Sequence, residues 1–118
     1  KGWLDKDGKL HEKIYDVAWS DKRIPDPKTG KLPVVGNTVN VAEASWTNTI
    51  GATELVAVWK DPDFDSSLSA FYYGRVMEIP TPRWTAYDVK RFKNKPLKDT
   101  RMVLQERAYT SPIWYTPK

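Results

Sequence analysis

Three aspartates at alternate positions, Asp61, Asp63 and Asp65, come closer to a metal site in type and spacing than any other residues of this chain. Carboxylates at positions 1, 3 and 5 are the first ligands of a calcium-binding loop. The rest of that loop is missing, because Ser66 stands where its glycine belongs and Tyr72 where its bidentate glutamate belongs. The aspartates remain calcium candidates, but the favoured prediction is a turn in which they accept hydrogen bonds from nearby backbone amides.

The chain has one histidine, His11, and no cysteine. A single imidazole cannot build a metal centre that needs several histidines, and His11 is the only base available to a Ser-His-Asp arrangement. Without cysteine there is no disulfide, thiolate nucleophile or cysteine-ligated zinc in this chain. We therefore predict that His11 is exposed at a strand edge, and that this chain alone carries no catalytic residue.

The second half of the chain places arginines among apolar and aromatic residues, which is unusual. The candidate binding residues are Arg75, Arg83, Trp84, Arg107 and Trp114. An arginine among apolar strand residues is costly unless its guanidinium is paired or stacked. A structural interpretation pairs Arg75 and Arg107 with Glu78 and Glu106, or lays them over tryptophan rings. A functional interpretation has the candidates binding an anionic small molecule or anchoring the chain against another domain.

Six tryptophans raise the hypothesis of glycan binding, because exposed planar rings can stack on sugars. Three of them lie in alternating patterns that predict core positions: Trp19, Trp59 and Trp114. Three lie near turns and are the candidates for exposure: Trp3, Trp46 and Trp84. Burial in a core or an interface is the favoured interpretation, and a stand-alone module binding glycans or anions is the alternative.

Charge and hydropathy give little support to nucleic-acid or membrane partners. The net charge of +4 comes from scattered residues, and the one mild basic cluster, residues 90–95, predicts a solvated surface segment. We predict no nucleic-acid partner. The longest apolar run, residues 55–59, has the length of a strand and not the ~20 residues of a membrane span, so no membrane contact is predicted.

Apolar residues alternate with a period of two along much of the chain, which predicts β-strands. The predicted strands are residues 12–19, 39–42, 55–59, 71–79, 102–104 and 113–115. An Asp-Gly turn at residues 5–8 precedes the first of them, and Pro80 and Pro82 are expected to end the strand at 71–79. Residues 106–115 are expected to form a closing strand with Pro112 at an edge or bulge.

One short helix is predicted at residues 86–92, with Thr85 as its N-cap and Asp88 in its first turn. Together these elements predict a mostly β fold, an antiparallel β-sandwich-like single domain with long loops and at most one short helix. At 118 residues the domain is long enough to bury a sizeable core. The chain opens on Lys1 without an initiator methionine, so we expect it to be the C-terminal fragment of a larger protein.

Three tracts of rare residues occur in an order that resembles a known family. The first joins residues 47–51 to residues 59–65. The second is residues 71–84, Phe-Tyr-Tyr-Gly-Arg-Val-Met-Glu-Ile-Pro-Thr-Pro-Arg-Trp, and the third is residues 105–115, Gln-Glu-Arg-Ala-Tyr-Thr-Ser-Pro-Ile-Trp-Tyr. The chain resembles the C-terminal region of DUF3604, a large and mostly bacterial family of unknown function whose N-terminal part resembles PHP metal-dependent hydrolases.

The resemblance implies that the chain is a non-catalytic β domain that braces or completes an upstream catalytic domain. The parent protein would then be a metal-dependent hydrolase of phosphoesterase type whose divalent metals are bound outside this chain. The implied partners are that upstream domain and an anionic small-molecule substrate. The implied location is the periplasm or the exterior of the cell. A structural assembly domain is a further alternative.

Overall fold

The structure is a computed structural model that describes residues 1–118. It has six β-strands and one helix, which confirms the prediction of a mostly β fold with antiparallel sheets and one short helix. The strands are β1 (Gly2–Leu4), β2 (Leu10–Glu12), β3 (Ala70–Tyr72), β4 (Arg75–Pro82), β5 (Val103–Tyr109) and β6 (Ile113–Tyr115). The helix α1 (Trp84–Phe92) lies between β4 and β5.

Four short strands form an antiparallel sheet in the order β2-β1-β3-β6. The turn between β1 and β2 is the predicted one, because Asp5 Oδ1 accepts hydrogen bonds from the amides of Asp7 and Lys9, at 3.0 and 2.9 Å. Gly8 supplies the positive φ of 76° that this tight turn requires. The Asp-Gly signal therefore predicted both the hairpin and its place in the chain.

Residues that lie opposite one another across an antiparallel sheet project from the same face. Glu12, Gly2, Phe71 and Trp114 lie in one such row, because Gly2 pairs with Glu12 and Phe71, and Phe71 pairs with Trp114. The opposite face carries His11, Trp3, Ala70 and Tyr115 in the adjacent row. The register thus assigns different side chains to the two faces of this sheet.

The two longer strands, β4 and β5, form a separate two-stranded sheet. Backbone hydrogen bonds flank this pairing at both ends, from the amide of Thr110 to Gly74 (3.0 Å) and from the amide of Arg83 to Met102 (2.9 Å). Pro80 does not end the strand as predicted, since β4 continues through it and ends at Pro82. A strand with one neighbour tolerates proline, because the missing amide can face away from the ladder.

Helix α1 confirms the predicted helix but not its predicted start. Arg83 is the N-cap and makes no capping hydrogen bond through its side chain, whereas Thr85 lies inside the helix. The buried hydroxyl of Thr85 instead donates to the carbonyl of Arg101 at 2.6 Å. Asp88 lies beyond the first turn, and Lys93, at a φ of 56°, ends the helix in the left-handed conformation.

Three predicted strands are wrong because the segments have no neighbouring strand to pair with. Residues 13–19 and 55–59 contain no strand, and residues 39–42 contribute only an isolated bridge between Asn40 and Ser45. Within the apolar run at 55–59, Val56 is 81% exposed. The predicted strand at 71–79 is divided at Tyr73 and Gly74, and residues 110–112 separate β5 from β6 in the predicted closing strand.

The chain divides into two compact units. Unit 1 comprises Lys1–Ala18, Val56–Val76 and Ala108–Lys118, and contains the four-stranded sheet. Unit 2 comprises Trp19–Leu55 and Met77–Arg107, and contains α1. The assignment of residues 1–118 to a single domain stays a prediction.

The core is smaller than the length of the chain predicts. The buried apolar residues are three alanines, Ala44, Ala70 and Ala86, and no large side chain is fully buried. Large apolar side chains therefore remain exposed in both units.

Candidate functional site

A charged cluster in unit 1 joins the first residue of the chain to the aspartates of the 61–65 segment. The ammonium group of Lys1 lies 2.6 Å from Asp61 Oδ2 and donates to the carbonyl of Asp63 at 2.6 Å. The hydroxyl of Tyr72, at the end of β3, donates to the same Asp61 carboxylate at 2.7 Å. The side chains of Lys1 and Asp61 are only 5% and 7% exposed, so this is a buried and hydrogen-bonded ion pair.

The environment of this cluster shifts the pKa of its acidic groups in opposite directions. Burial raises the pKa of the Asp61 carboxyl, but hydrogen bonds from Lys1 and Tyr72 outweigh it, so that the pKa lies below the ordinary value of 3.8. Burial, with the hydrogen bond to Asp61, raises the pKa of Tyr72 to about 12. Asp61 is therefore a carboxylate and Tyr72 a neutral phenol over the whole physiological range.

Asp63 forms a second, more exposed group with residues that follow β2. Its carboxylate pairs with the ammonium group of Lys13 and accepts a hydrogen bond from Tyr15 at 2.6 Å. The hydrogen bond from Lys13 contributes most to lowering the pKa of Asp63, and the hydrogen bond from Tyr15 lowers it further. Burial and the hydrogen bond to Asp63 raise the pKa of Tyr15 well above its ordinary value of 10.0. The ring of Tyr15 also lies 5.0 Å from that of Trp59.

The three aspartates singled out from the sequence thus have separate sets of partners. Asp65 accepts hydrogen bonds from the amide and hydroxyl of Ser67, at 2.8 and 2.7 Å, as the predicted turn requires. The amide of Asp63 likewise donates to Asp61 at 2.9 Å. No group of three or more acidic, histidine or cysteine side chains is arranged to hold a metal ion. Calcium binding at Asp61, Asp63 and Asp65 stays a prediction.

His11 lies on β2, an edge strand of the four-stranded sheet, as predicted. The prediction that it is exposed is wrong, because it is half-buried and its ring stacks on Trp3 at a centroid distance of 5.2 Å. Its Nε2 lies 2.6 Å from Asp5 Oδ2, and this hydrogen bond lowers the pKa of Asp5. These contacts join the two strands and the turn of the first hairpin.

A row of aromatic side chains begins on one face of the four-stranded sheet, with Phe71 and Trp114, and continues beyond the sheet to Tyr73 and Tyr109. We call Phe71, Tyr73, Tyr109 and Trp114 the aromatic row. Phe71 lies 5.3 Å from Trp114 and 6.4 Å from Tyr73, and Tyr73 lies 6.2 Å from Tyr109, between ring centroids. Trp114 is 71% exposed and Tyr109 is 59% exposed. A Cβ at Gly2 would collide with the Phe71 ring, so a glycine is required beneath this row.

The other face of this sheet is covered by the segment that carries the aspartates. Phe64 packs edge-on against Tyr115 at 5.0 Å, and Trp59 packs against Tyr72 at 6.3 Å. The hydroxyl of Tyr115 donates to the carbonyl of Ser66 at 3.0 Å. The sheet therefore has one face packed within the chain and one face on which aromatic rings are exposed.

The tryptophan predictions need one main correction. Trp114 was assigned to a core, but its ring extends from the edge strand β6 and is largely exposed. Trp59 is also partly exposed, at 38%, and Trp19 is half-buried, with its indole donating to the carbonyl of Arg23 at 2.6 Å. Of the three candidates for exposure, Trp46 and Trp84 are exposed and Trp3 is half-buried.

The predicted ion pairs of Arg75 and Arg107 with Glu78 and Glu106 are wrong. The four ion pairs of the chain involve none of these residues. Both arginines project into solvent from β4 and β5, where the strands are exposed and a guanidinium needs no partner. Stacking is found instead at Arg83, whose guanidinium carbon lies 5.6 Å from the centre of the Trp84 ring.

Arg83 and Trp84 line an open cavity of about 550 Å³ in unit 2. Residues of α1 and of the segment 96–101 complete it, including Val89, Leu97 and Arg101. Its volume lies within the range of small-molecule sites in proteins. The structure thus brings together two of the five candidate binding residues, Arg83 and Trp84, and adds Arg101, which the sequence did not single out.

The fold is that of a mostly β protein with one short helix, and α1, at nine residues, is too short to cross a membrane. The sequence model of a family described as "Protein of unknown function (DUF3604)" matches residues 1–117, and the chain therefore belongs to that family. No curated protein matches the chain. No solved structure matches it either.

Proposed function

We propose that this chain is a non-catalytic β domain that packs against a further domain of the same protein and braces it. The observation that carries the proposal is the imbalance between buried and exposed apolar residues. Twenty-three large hydrophobic side chains are exposed, whereas the buried apolar residues are three alanines. Large exposed apolar surfaces are typical of faces that another protein covers.

The aromatic row is the part of unit 1 best suited to such a contact. Tryptophan and tyrosine are enriched among the residues that contribute most to the free energy of binding in protein interfaces. Trp114 and Tyr109 are largely exposed, and their rings contact those of Phe71 and Tyr73, respectively. The rings are thus positioned before a partner arrives, which reduces the entropy lost on binding.

The partner in this proposal is an upstream metal-dependent hydrolase domain that resembles PHP enzymes. The resemblance of residues 71–84 and 105–115 to the end of such proteins supports it, together with the single histidine of this chain. Divalent metals bound by the upstream domain would activate water for attack on a phosphate ester or a related bond. Export to the periplasm or the cell exterior belongs to the same proposal.

The gene offers the first test. We expect the coding sequence upstream of this segment to contain a His-x-His tract and further histidine and aspartate motifs. An upstream region without them would refute the hydrolase part of the proposal. The proposal that the chain packs against an upstream domain requires a separate binding experiment.

For that experiment the upstream polypeptide and the 118-residue chain are produced separately and mixed. We expect a stoichiometric complex, and we expect Trp114→Ala to weaken it by about thirtyfold, as substitution of an interface tryptophan does. Phe92→Ala is the matched control, because Phe92 is an exposed aromatic residue outside the aromatic row. Absence of a complex, or equal loss with both variants, would contradict packing through the aromatic row.

The same aromatic row favours a second candidate, a glycan-binding module. Trp114, Tyr109 and Tyr73 are exposed aromatic residues of one row, and sugars stack on such rings. Retention of the chain on immobilised polysaccharides, abolished by Trp114→Ala and unaffected by Phe92→Ala, would establish this function. No retention on any polysaccharide, together with a stoichiometric complex with the upstream polypeptide, would exclude it.

A further inference from the structure

Backbone contacts bring two arginines to the same cavity of unit 2. The amide of Arg83 donates to Met102 at 2.9 Å, and the hydroxyl of Thr85 donates to the carbonyl of Arg101 at 2.6 Å. The backbone of Arg83 therefore lies close to that of Arg101, and both residues line the cavity of about 550 Å³. The lining thus carries two positive charges, together with the negative charges of Asp88 and Asp99.

Neither arginine has an anionic partner within the chain. The four ion pairs of the protein include neither Arg83 nor Arg101, and they include neither of the two aspartates that also line the cavity, Asp88 and Asp99. Arg83 is half-buried and Arg101 is exposed. A guanidinium in this position is available to hydrogen-bond an anion from outside the chain.

Apolar side chains form a further part of the cavity wall. Trp84 lies beside Arg83, whose guanidinium carbon is 5.6 Å from the ring centre, and this stacking restricts the guanidinium. Leu97, Val89 and Pro96 contribute aliphatic surface. A ligand that suits this lining carries an anionic group at one end and an apolar or planar body.

We propose that this cavity binds a small organic anion, a phosphate monoester or carboxylate with a planar or aliphatic body. Arg83 and Arg101 hold the anionic group, and Trp84 and Leu97 contact the body. Asp88 and Asp99 disfavour a second negative group and accept hydrogen bonds from hydroxyl groups of the ligand. The site lies within unit 2 and is independent of what the aromatic row of unit 1 contacts.

The test is a titration of the isotope-labelled 118-residue chain with phenyl phosphate, followed by the chemical shifts of backbone amides. We expect saturable shifts at Arg83, Trp84, Thr85 and Arg101. Inorganic phosphate lacks the apolar body and phenol lacks the charge. Each should bind at least about tenfold more weakly than phenyl phosphate, because burial of the ring and the charged hydrogen bonds both contribute. Equal binding of phosphate and phenyl phosphate would overturn the assignment of the apolar wall.

Variants separate this cavity from general electrostatic attraction. Arg83→Gln and Arg101→Gln should each weaken phenyl phosphate binding about tenfold, since each removes charge-assisted hydrogen bonds. Arg75→Gln and Arg107→Gln are the matched controls, because both arginines are exposed and lie outside the cavity, and they should change the affinity less than about twofold. Shifts that map elsewhere on the unmodified chain, or equal losses with the controls, would refute the proposal whether or not a variant folds.

Discussion

The Lys1 ammonium group and the Asp61 carboxylate are 2.6 Å apart and almost completely buried. The pair is not isolated, because Tyr72 also donates to Asp61 and Lys1 also donates to the carbonyl of Asp63. Additional hydrogen bonds of this kind offset the free energy lost when two charges leave water. The pair fastens the start of the chain to the segment that covers one face of the four-stranded sheet.

Removal of one partner of this pair is expected to be strongly destabilising. Asp61→Asn leaves the Lys1 ammonium group buried without a counter-charge, and we expect the free energy of unfolding to fall by about 3 kcal/mol. This free energy is measured by urea unfolding, with tryptophan fluorescence as the signal. Glu43→Gln is the matched control, because the pair of Lys90 with Glu43 is exposed (47% and 64%), and it should cost less than about 1 kcal/mol. Equal losses would show that the burial of the Lys1 pair has no energetic consequence.

The contribution of Asp61 should depend on pH in a defined direction. Its pKa is lowered in the folded chain, so its stabilising contribution is fully present above the ordinary value of 3.8 and is lost as the pH falls through the lowered value. The difference in unfolding free energy between the unmodified chain and Asp61→Asn should therefore be constant above a pH of about 5 and shrink below a pH of about 4. Urea titrations at a series of pH values test this, and a difference that widens on acidification would contradict it.

Tyr72 should ionise late in an alkaline titration. Its pKa of about 12 exceeds the ordinary 10.0, so the stability that its phenol contributes is present below the ordinary value and is lost as the pH rises through the raised one. Ultraviolet absorbance of phenolate should show ionisation near pH 12. The pKa of Tyr15 is raised further still, so Tyr72→Phe should reduce the amplitude of the late ionisation by one tyrosine and not abolish it. The same titration in strong denaturant is the control, and there the late ionisation should be absent. A late ionisation of unchanged amplitude in Tyr72→Phe would contradict its assignment to Tyr72.

Local signals predicted the elements that depend on short-range interactions. The Asp-Gly signal predicted the turn of the first hairpin, because such a turn is specified by residues a few positions apart. The helix predicted at residues 86–92 exists as α1, but the two signals behind the prediction, Thr85 as N-cap and Asp88 in the first turn, are wrong. The run at residues 55–59 failed for the opposite reason. Alternation and β-branched residues indicate that a segment can form a strand, but a strand requires a neighbour, and no local pattern supplies one.

The candidate sites show the same limit. The spacing of Asp61 and Asp63 drew attention to the right segment, but their partners Lys1, Lys13 and Tyr15 lie about fifty residues away in the chain. The alternation of apolar residues placed Phe71 and Tyr73 on one face of a strand. It could not show that no other segment of the chain packs on that face. Arg101 lies in an irregular segment without periodicity, so only the structure places it beside Arg83.

Gly51 should tolerate substitution less well than other glycines with positive φ. Its φ is 83°, and a Cβ there would lie 2.5 Å from the Cγ2 methyl group of Ile79 on β4. Gly51→Ala therefore combines backbone strain with a steric clash, and we expect a loss of about 2–4 kcal/mol in unfolding free energy. Gly8→Ala isolates the backbone effect, because Gly8 has a φ of 76° and no atom within 4 Å of the added Cβ. It should cost about 1–2 kcal/mol. If urea unfolding gives equal losses for the two variants, the contact between Gly51 and Ile79 does not constrain this turn.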